Sequence, residues 1–360
     1  MTDPDGLHNY TYDDIYQLTD ANYPVRPDQH YDYDDAGNRA TVIDGANATS
    51  YTPDNMNRYT AAGTVSYGYD DNGCLTNKTE GVNTTTYGYD YENRLNHVIA
   101  GGSEAIYTYD YLGRRIRTND NGTITRYIYD GNRVIAETDN AGNLICEYVY
   151  GNSIDEVLYM IKGSNTYYYH YDGLGSVRAI TDSSEAIVET YTYDVYGKPT
   201  LYDNQQQEIT TSSIGNRFYF TGREYDFANE LYYYRARYYN PALGKFMSPD
   251  PLGPIVSPNL YTYCGNNPIN WVDPLGLTLG QAIAQGSLIS GGLAGAAYGI
   301  ATGNPFLAGG GLIVAGIGAG WMWYDWITAP DLAKEGAQNI YDKYLKEHLD
   351  ELDKISGSKK

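Results

Sequence analysis

The chain has 360 residues and a formal net charge of −21. That length allows two or three domains, and that charge argues against nucleic acid as a partner, because a nucleic-acid binder needs a basic footprint. The charge is uneven: residues 278–360 carry 6 Lys+Arg and 8 Asp+Glu, or −2, which leaves −19 for residues 1–277. Self-repulsion of this size keeps the larger part soluble and disfavours anionic membranes.

Residues 1–30 lack a basic start and an apolar run, so no signal peptide is read there and export needs another route. Repeat-like text begins as early as Tyr10-Thr11-Tyr12-Asp13, so the start reads as truncated. Cys74, Cys146 and Cys264 are far apart, odd in number and without Cys/His metal spacing. They read as small buried apolar residues; no zinc, other metal or cofactor is expected.

The chain contains 42 Tyr against 5 Phe, and the tyrosines are periodic. The pattern Tyr-x-Tyr-Asp places its second Tyr at Tyr12, Tyr33, Tyr69, Tyr89, Tyr109, Tyr129, Tyr171 and Tyr193, with a step of 20 from Tyr69 to Tyr129. Tyr150 fills the following gap at nearly the same step. A fixed period of this size marks a stacked repeat. Tyr-x-Tyr alternates as a half-exposed strand does. Asp-x-x-Gly-Asn supplies the turn, and a β-branched strand such as Arg133-Val134-Ile135-Ala136 follows. One hairpin of this length cannot bury its own apolar face, so neighbours must pair edge to edge into a long twisting sheet. Tyrosine suits the role through an apolar body and a polar tip that can stay wet.

From Tyr171 onward a different series appears. Tyr171 to Arg178 reads YDGLGSVR, Tyr193 to Gly197 YDVYG, Phe220 to Asp226 FTGREYD, and Leu231 to Pro241 LYYYRARYYNP. Asn259-Leu260-Tyr261, Asn266-Asn267-Pro268 and Asp273-Pro274-Leu275-Gly276-Leu277 complete it. The repeats resemble YD repeats of the Rhs family, and residues 169–277 resemble its repeat-associated core; the likeness covers roughly residues 10–277. The resemblance implies a mainly β protein, a spiralling antiparallel β-hairpin shell here only partial, followed by an α-helical C-terminal tail. It divides the chain into a YD-repeat segment 1–168, the core 169–277 and a variable C-terminal region 278–360. It further implies a bacterial carrier that holds a C-terminal effector, often a toxin, and cleaves itself at the DPxGL boundary, with a cognate immunity protein as partner. About ten hairpins look too few to close a cavity around a cargo, so a shell-completing partner chain or a fragment of a longer protein is expected.

Asp-Pro-Leu-Gly occurs at 250–253 and again at 273–276. Proline fixes φ and glycine permits a sharp turn, so the text alone is also good turn text. Two carboxylates brought together cannot both ionise easily; the ionised one can activate water and the protonated one can polarise a carbonyl. The resemblance carries over a cut between Leu277 and Thr278, a dyad of Asp250 and Asp273, and a nearby arginine. Arg223 is the named candidate, with Arg235 and Arg237 open beside it. The hydroxyl of Thr278 is a rival nucleophile. Glycan binding by a tyrosine-rich surface is the reading from another class, and an inactive gene fragment is a third.

Residues 278–324 contain no Asp, Glu, Lys or Arg. Gly291, Gly295, Gly299 and Gly303 recur every fourth residue, a stripe that lets helices approach closely. Residues 281–302 and 306–327 are two apolar arms, each about long enough to span a bilayer, and Trp321, Trp323 and Trp326 stand where an aromatic belt would sit. A membrane-inserting hairpin and a packed helical pair are both open. From Thr328 a capped amphipathic helix is expected.

Overall fold

The computed structural model describes residues 2–3, 6–255, 257–277 and 281–282. The chain divides into two units, Met1–Gly280 and Gln281–Lys360, the second described only at the strand Gln281–Ala282. The apolar arms expected over 281–302 and 306–327 and the helix expected after Thr328 therefore lie outside the described residues. Among the described residues, no helix is long and apolar enough to cross a membrane.

The first unit is mainly β, as the repeat pattern predicts. Twenty-one strands, from Asn9–Tyr12 to Glu208–Ile209, form one antiparallel sheet whose order closes into a barrel. The ladders join sequence neighbours: His97 to Ala100 pair with Ile106 to Ser103, and Ala105 to Tyr109 with Asp120 to Arg115. Hairpins continue past position 168 without a break, up to the two-residue strand Glu208–Ile209 at the seam.

Some ten hairpins looked too few to close a cavity around a cargo; the ring does close, and what packs inside it is the chain's own residues 214–264. Phe218, Tyr219 and Phe220 pack on Tyr127, Tyr148, Tyr169 and Tyr191 of the ring. Leu231, Tyr233, Tyr238 and Met247 pack on Leu75, Tyr87, Leu95 and Tyr107. Leu243 meets Tyr59 and Ala62. The inner element is a four-stranded sheet of Glu224–Asp226, Leu231–Tyr234, Arg237–Asn240 and Lys245–Phe246. Ion pairs also join ring to core, Glu137 with Arg217 at 2.6 Å and Arg115 with Glu224.

Most repeats are built on their aspartate. Asp90 Oδ1 accepts the N–H groups of Glu92 and Arg94, both at 3.0 Å, while Arg94 Nε donates to Oδ2 at 2.7 Å. Asp54 with Arg58 and Asp110 with Arg114 repeat the arrangement. The fourth turn residue has positive φ, +61° at Asn93 and +77° at Gly113, which is why Asn or Gly stands there. A β-bulge sits immediately before the second Tyr of most units, as at Gly88/Tyr89, Thr108/Tyr109 and Ile128/Tyr129. Bulges sharpen the twist, and repeated in most units they curl the sheet into a ring.

The tyrosine tips differ from expectation: many are not wet but point inward and serve the backbone. Tyr129 donates to the carbonyl of Arg115 at 2.8 Å, Tyr150 to Val134 at 3.0 Å, Tyr171 to Val157 at 2.7 Å and Tyr193 to Val177 at 2.6 Å. Tyr33, Tyr89 and Tyr109 do the same for Leu18, Leu75 and Leu95. Each such hydroxyl ties its hairpin to the start of the strand after the preceding turn. Buried carbonyls need a donor, so Tyr129→Phe should destabilise by about 1–2 kcal/mol in urea unfolding. Tyr91→Phe, on a side chain 90% exposed, should leave the midpoint unchanged.

Candidate functional site

The hairpin Leu231–Tyr234 / Arg237–Asn240 turns over Arg235 and Ala236, with Tyr234 opposite Arg237. Its tip clasps the second Asp-Pro-Leu-Gly segment through three successive carbonyls. Arg235 Nη1 donates to Pro274 O, Ala236 N–H to Leu275 O at 3.2 Å, and Arg237 Nε to Gly276 O at 2.6 Å. Gly276 has φ +67°, and a Cβ there would stand 2.4 Å from the carbonyl oxygen of Tyr234. Only glycine lets the loop lie this close to the hairpin.

The clasp brings the two predicted aspartates to one guanidinium. Arg237 Nη2 lies 3.0 Å from Asp250 Oδ2 and 3.6 Å from Asp273 Oδ2. All three side chains are buried, with exposures of 0% for Arg237, 3% for Asp250 and 1% for Asp273. Arg237 Nη1 donates to Leu260 O at 2.9 Å, and its guanidinium carbon stands 3.6 Å from the centre of the Phe246 ring. Each aspartate also folds its own turn. Asp250 Oδ1 accepts the Leu252 N–H at 2.8 Å, and Asp273 Oδ1 accepts the Leu277 N–H at 3.0 Å. Leu277 is thus held directly by one member of the pair, while Thr278 lies outside the described residues.

Arg223 is elsewhere. It pairs with Asp155 at 2.9 Å and donates to Tyr233 O at 3.1 and 2.7 Å. Among the three arginines left open by the sequence, Arg237 touches both aspartates, Arg235 touches the loop between Asp273 and Leu277, and Arg223 contacts a neighbour of that set.

The family model described as Teneurin YD-shell matches residues 4–269. The chain belongs to the Teneurin YD-shell family. Among curated relatives of this YD-shell protein, the tRNA3(Ser)-specific nuclease WapA of Bacillus spizizenii is 38% identical over 151 residues, 41% of this chain and 6% of that protein. The probable deoxyribonuclease RhsA of Dickeya dadantii is 39% identical over 90 residues, 25% of this chain and 6% of that protein. The chain therefore spans 6% of the length of each of these two relatives. A crystal structure of TcdB2-TccC3 aligns over 75% of this chain and 18% of that one, at 18% identity and a TM-score of 0.44.

Two features of the YD-shell site escaped the sequence reading. Cys264, buried as expected, stands beside the site: its thiol is pushed well above the ordinary value, first by burial and then by the charge of Asp273. It stays protonated, and a protonated thiol is a poor nucleophile. Asp155, on the ring, holds both Arg223 and Arg235. Burial opposes its ionisation, but the two guanidiniums outweigh burial and hold its carboxyl below the ordinary value. One signal in the sequence marks it: Tyr150 is followed by Gly151 where other units carry Asp, and the acid appears at Asp155 instead.

Proposed function

We propose that this YD-shell chain is the closing part of a toxin-type carrier that cuts itself after Leu277 and frees residues 278–360 as an effector. The observation that carries the proposal is the convergence of Asp250 and Asp273 on Arg237, whose guanidinium also holds the carbonyl of Gly276, one residue before Leu277. Two carboxyls at one site share a proton more readily than they both ionise. The ionised one takes a proton from water as the water oxygen attacks the Leu277 carbonyl carbon. The protonated one polarises the carbonyl oxygen, then supplies the proton that the Thr278 nitrogen needs as the C–N bond breaks. The products are a Leu277 carboxylate and a Thr278 amine, and Arg237 steadies the charge on the pair. An intramolecular bond has a high effective concentration, so one turnover needs only a modest catalyst.

Names of the relatives support the carrier reading: two are called nucleases, and the matched segment is a small part of each. In this reading an immunity protein guards the producing bacterium, and the chain is exported or displayed at the cell surface. A larger shell with a partner chain and membrane contact through 281–327 belong to the same proposal.

The test is intact mass of the purified chain in mild buffer, because hot acid splits Asp-Pro bonds and Asp273–Pro274 lies only four residues before the proposed cut. Wild type should give pieces ending at Leu277 and starting at Thr278, and both Asp250→Asn and Asp273→Asn should stay whole. Cutting in both Asn variants, with loss only in Thr278→Ala, would replace the dyad by the hydroxyl route. An uncut wild type would sink self-cleavage altogether.

A further inference from the structure

The ring reaches the cleavage loop at one turn. Residues 151–156 join the strands Leu144–Tyr150 and Val157–Lys162, and they break the repeat, as noted for Gly151 and Asp155. Asp155 has φ +59° and is 8% exposed. Its backbone meets the core closely: a Cβ on Gly222 would lie 2.8 Å from the Asp155 carbonyl oxygen. Its carboxylate then accepts from two core arginines, Arg223 Nη1 at 2.9 Å and Arg235 through both terminal nitrogens. Arg235 Nη1 is shared, at 3.1 Å from Asp155 Oδ2 and also on the carbonyl of Pro274.

The two arginines depend on Asp155 unequally. Arg223 has a second anchor, because its Nε and Nη2 both hold Tyr233 O. Among the described residues Arg235 is anchored by Asp155 and the loop, its Nε is buried without a hydrogen-bond partner there, and its side chain is 16% exposed. Without the carboxylate, a half-sheltered guanidinium gains more from swinging to water than from staying on a single carbonyl. The Pro274 contact would go with it.

We propose that Asp155 is a positioning residue for self-cleavage: a carboxylate supplied by the ring locks Arg235 onto Pro274, so the loop is set for cutting only where the ring has closed on the core. This rests on the self-cleavage reading above. The other two carbonyl contacts, at Leu275 and Gly276, are made within the core, so the ring's control enters through Arg235.

The experiment uses the full chain and two readouts. The first is the time course of cutting after cell-free synthesis, by intact mass, for wild type, Asp155→Asn, Arg235→Lys and Arg223→Lys. Asn keeps the shape of Asp and tolerates positive φ, and Lys keeps the charge but cannot bridge two acceptors as a guanidinium does. Asp155→Asn and Arg235→Lys should cut at least about tenfold more slowly, a loss typical of small misplacement. Arg223→Lys, which disturbs the same carboxylate, should stay within about threefold. The second readout is amide exchange at Leu277, whose N–H is held by Asp273, measured in an Asp250→Asn background so that the loop stays whole. Asp155→Asn should speed that exchange while the melting temperature of the ring holds.

Cutting at the wild-type rate in Asp155→Asn overturns the proposal. So does slowing of all three variants in parallel with loss of thermal stability, since that is what a purely structural tie predicts. If wild type is never cut, the self-cleavage reading fails on its own, and unchanged Leu277 exchange in Asp155→Asn then overturns the positioning role separately.

Discussion

Arg237→Met should cost the fold about 3–5 kcal/mol and end the proposed self-cleavage at the same time. The guanidinium is wholly buried beside Asp250 and Asp273, so its removal leaves the charge of the pair without a cation in a dry site. Breaking a buried ion pair from one side is expensive because the partner's charge stays behind. Urea unfolding at neutral pH reads the deficit. Asp250→Asn and Asp273→Asn should be milder, because Arg237 keeps one carboxylate and the carbonyls of Leu260 and Gly276. A stability loss in Arg237→Met no larger than in the Asn variants would mean that the guanidinium is not the keystone of this site.

The second large effect is alkaline collapse. Burial raises Tyr89, Tyr109, Tyr169, Tyr193, Tyr232, Tyr239 and Tyr263 well above the ordinary tyrosine value. Their counterparts in the unfolded chain ionise near 10. Above that pH the unfolded state binds fewer protons, so stability falls as pH rises. Seven such groups remove about 10 kcal/mol per pH unit once the unfolded tyrosines are ionised, comparable with the whole stability of a domain. Lys245 acts the other way at lower pH. Burial pushes it down to about 7, so this one group adds stability as pH rises from about 7 to about 10. Stability should climb gently, then fail within about one pH unit above 10. Absorbance of the buried tyrosinates should appear in one step with loss of the β circular dichroism signal. Gradual ionisation of the buried set while the dichroism stays intact would contradict the inward-facing ladder.

The repeat, its turns and the candidate aspartates were legible in sequence because each is a local pattern. Tyr-x-Tyr-Asp shows strand, turn and period together, and Asp90 to Arg94 shows why the Asp is fixed. The destination of the tyrosine hydroxyls was not legible. Alternation tells that Tyr87 and Tyr89 share a face, but which face is inside depends on what fills the ring. Closure was missed because counting hairpins gives the length of the sheet and not its curl, which the bulges before Tyr89, Tyr109 and Tyr129 supply. The choice among Arg223, Arg235 and Arg237 turns on a hairpin register, Tyr234 opposite Arg237, and on long-range packing that brings residues 250 and 273 to it. Asp155 left only a trace, an aspartate displaced from its usual place in the repeat.

The topology also implies an order of events. Apart from the seam, ring ladders join strands that follow one another in the chain, whereas the core reaches back far: Lys245 bonds Asn38, Asn259 bonds Ala36 and Asn266 bonds Gln17. Local pairings form fast and distant ones late, and a chain emerging from the ribosome presents its N-terminal part first. Hairpins can therefore wind while synthesis continues, and the core can seat only after residues 231–277 have been made. The clasp around Pro274, Leu275 and Gly276 is then among the last contacts to form, so under the proposed self-cleavage the molecule would be finished before the bond beyond Leu277 is cut.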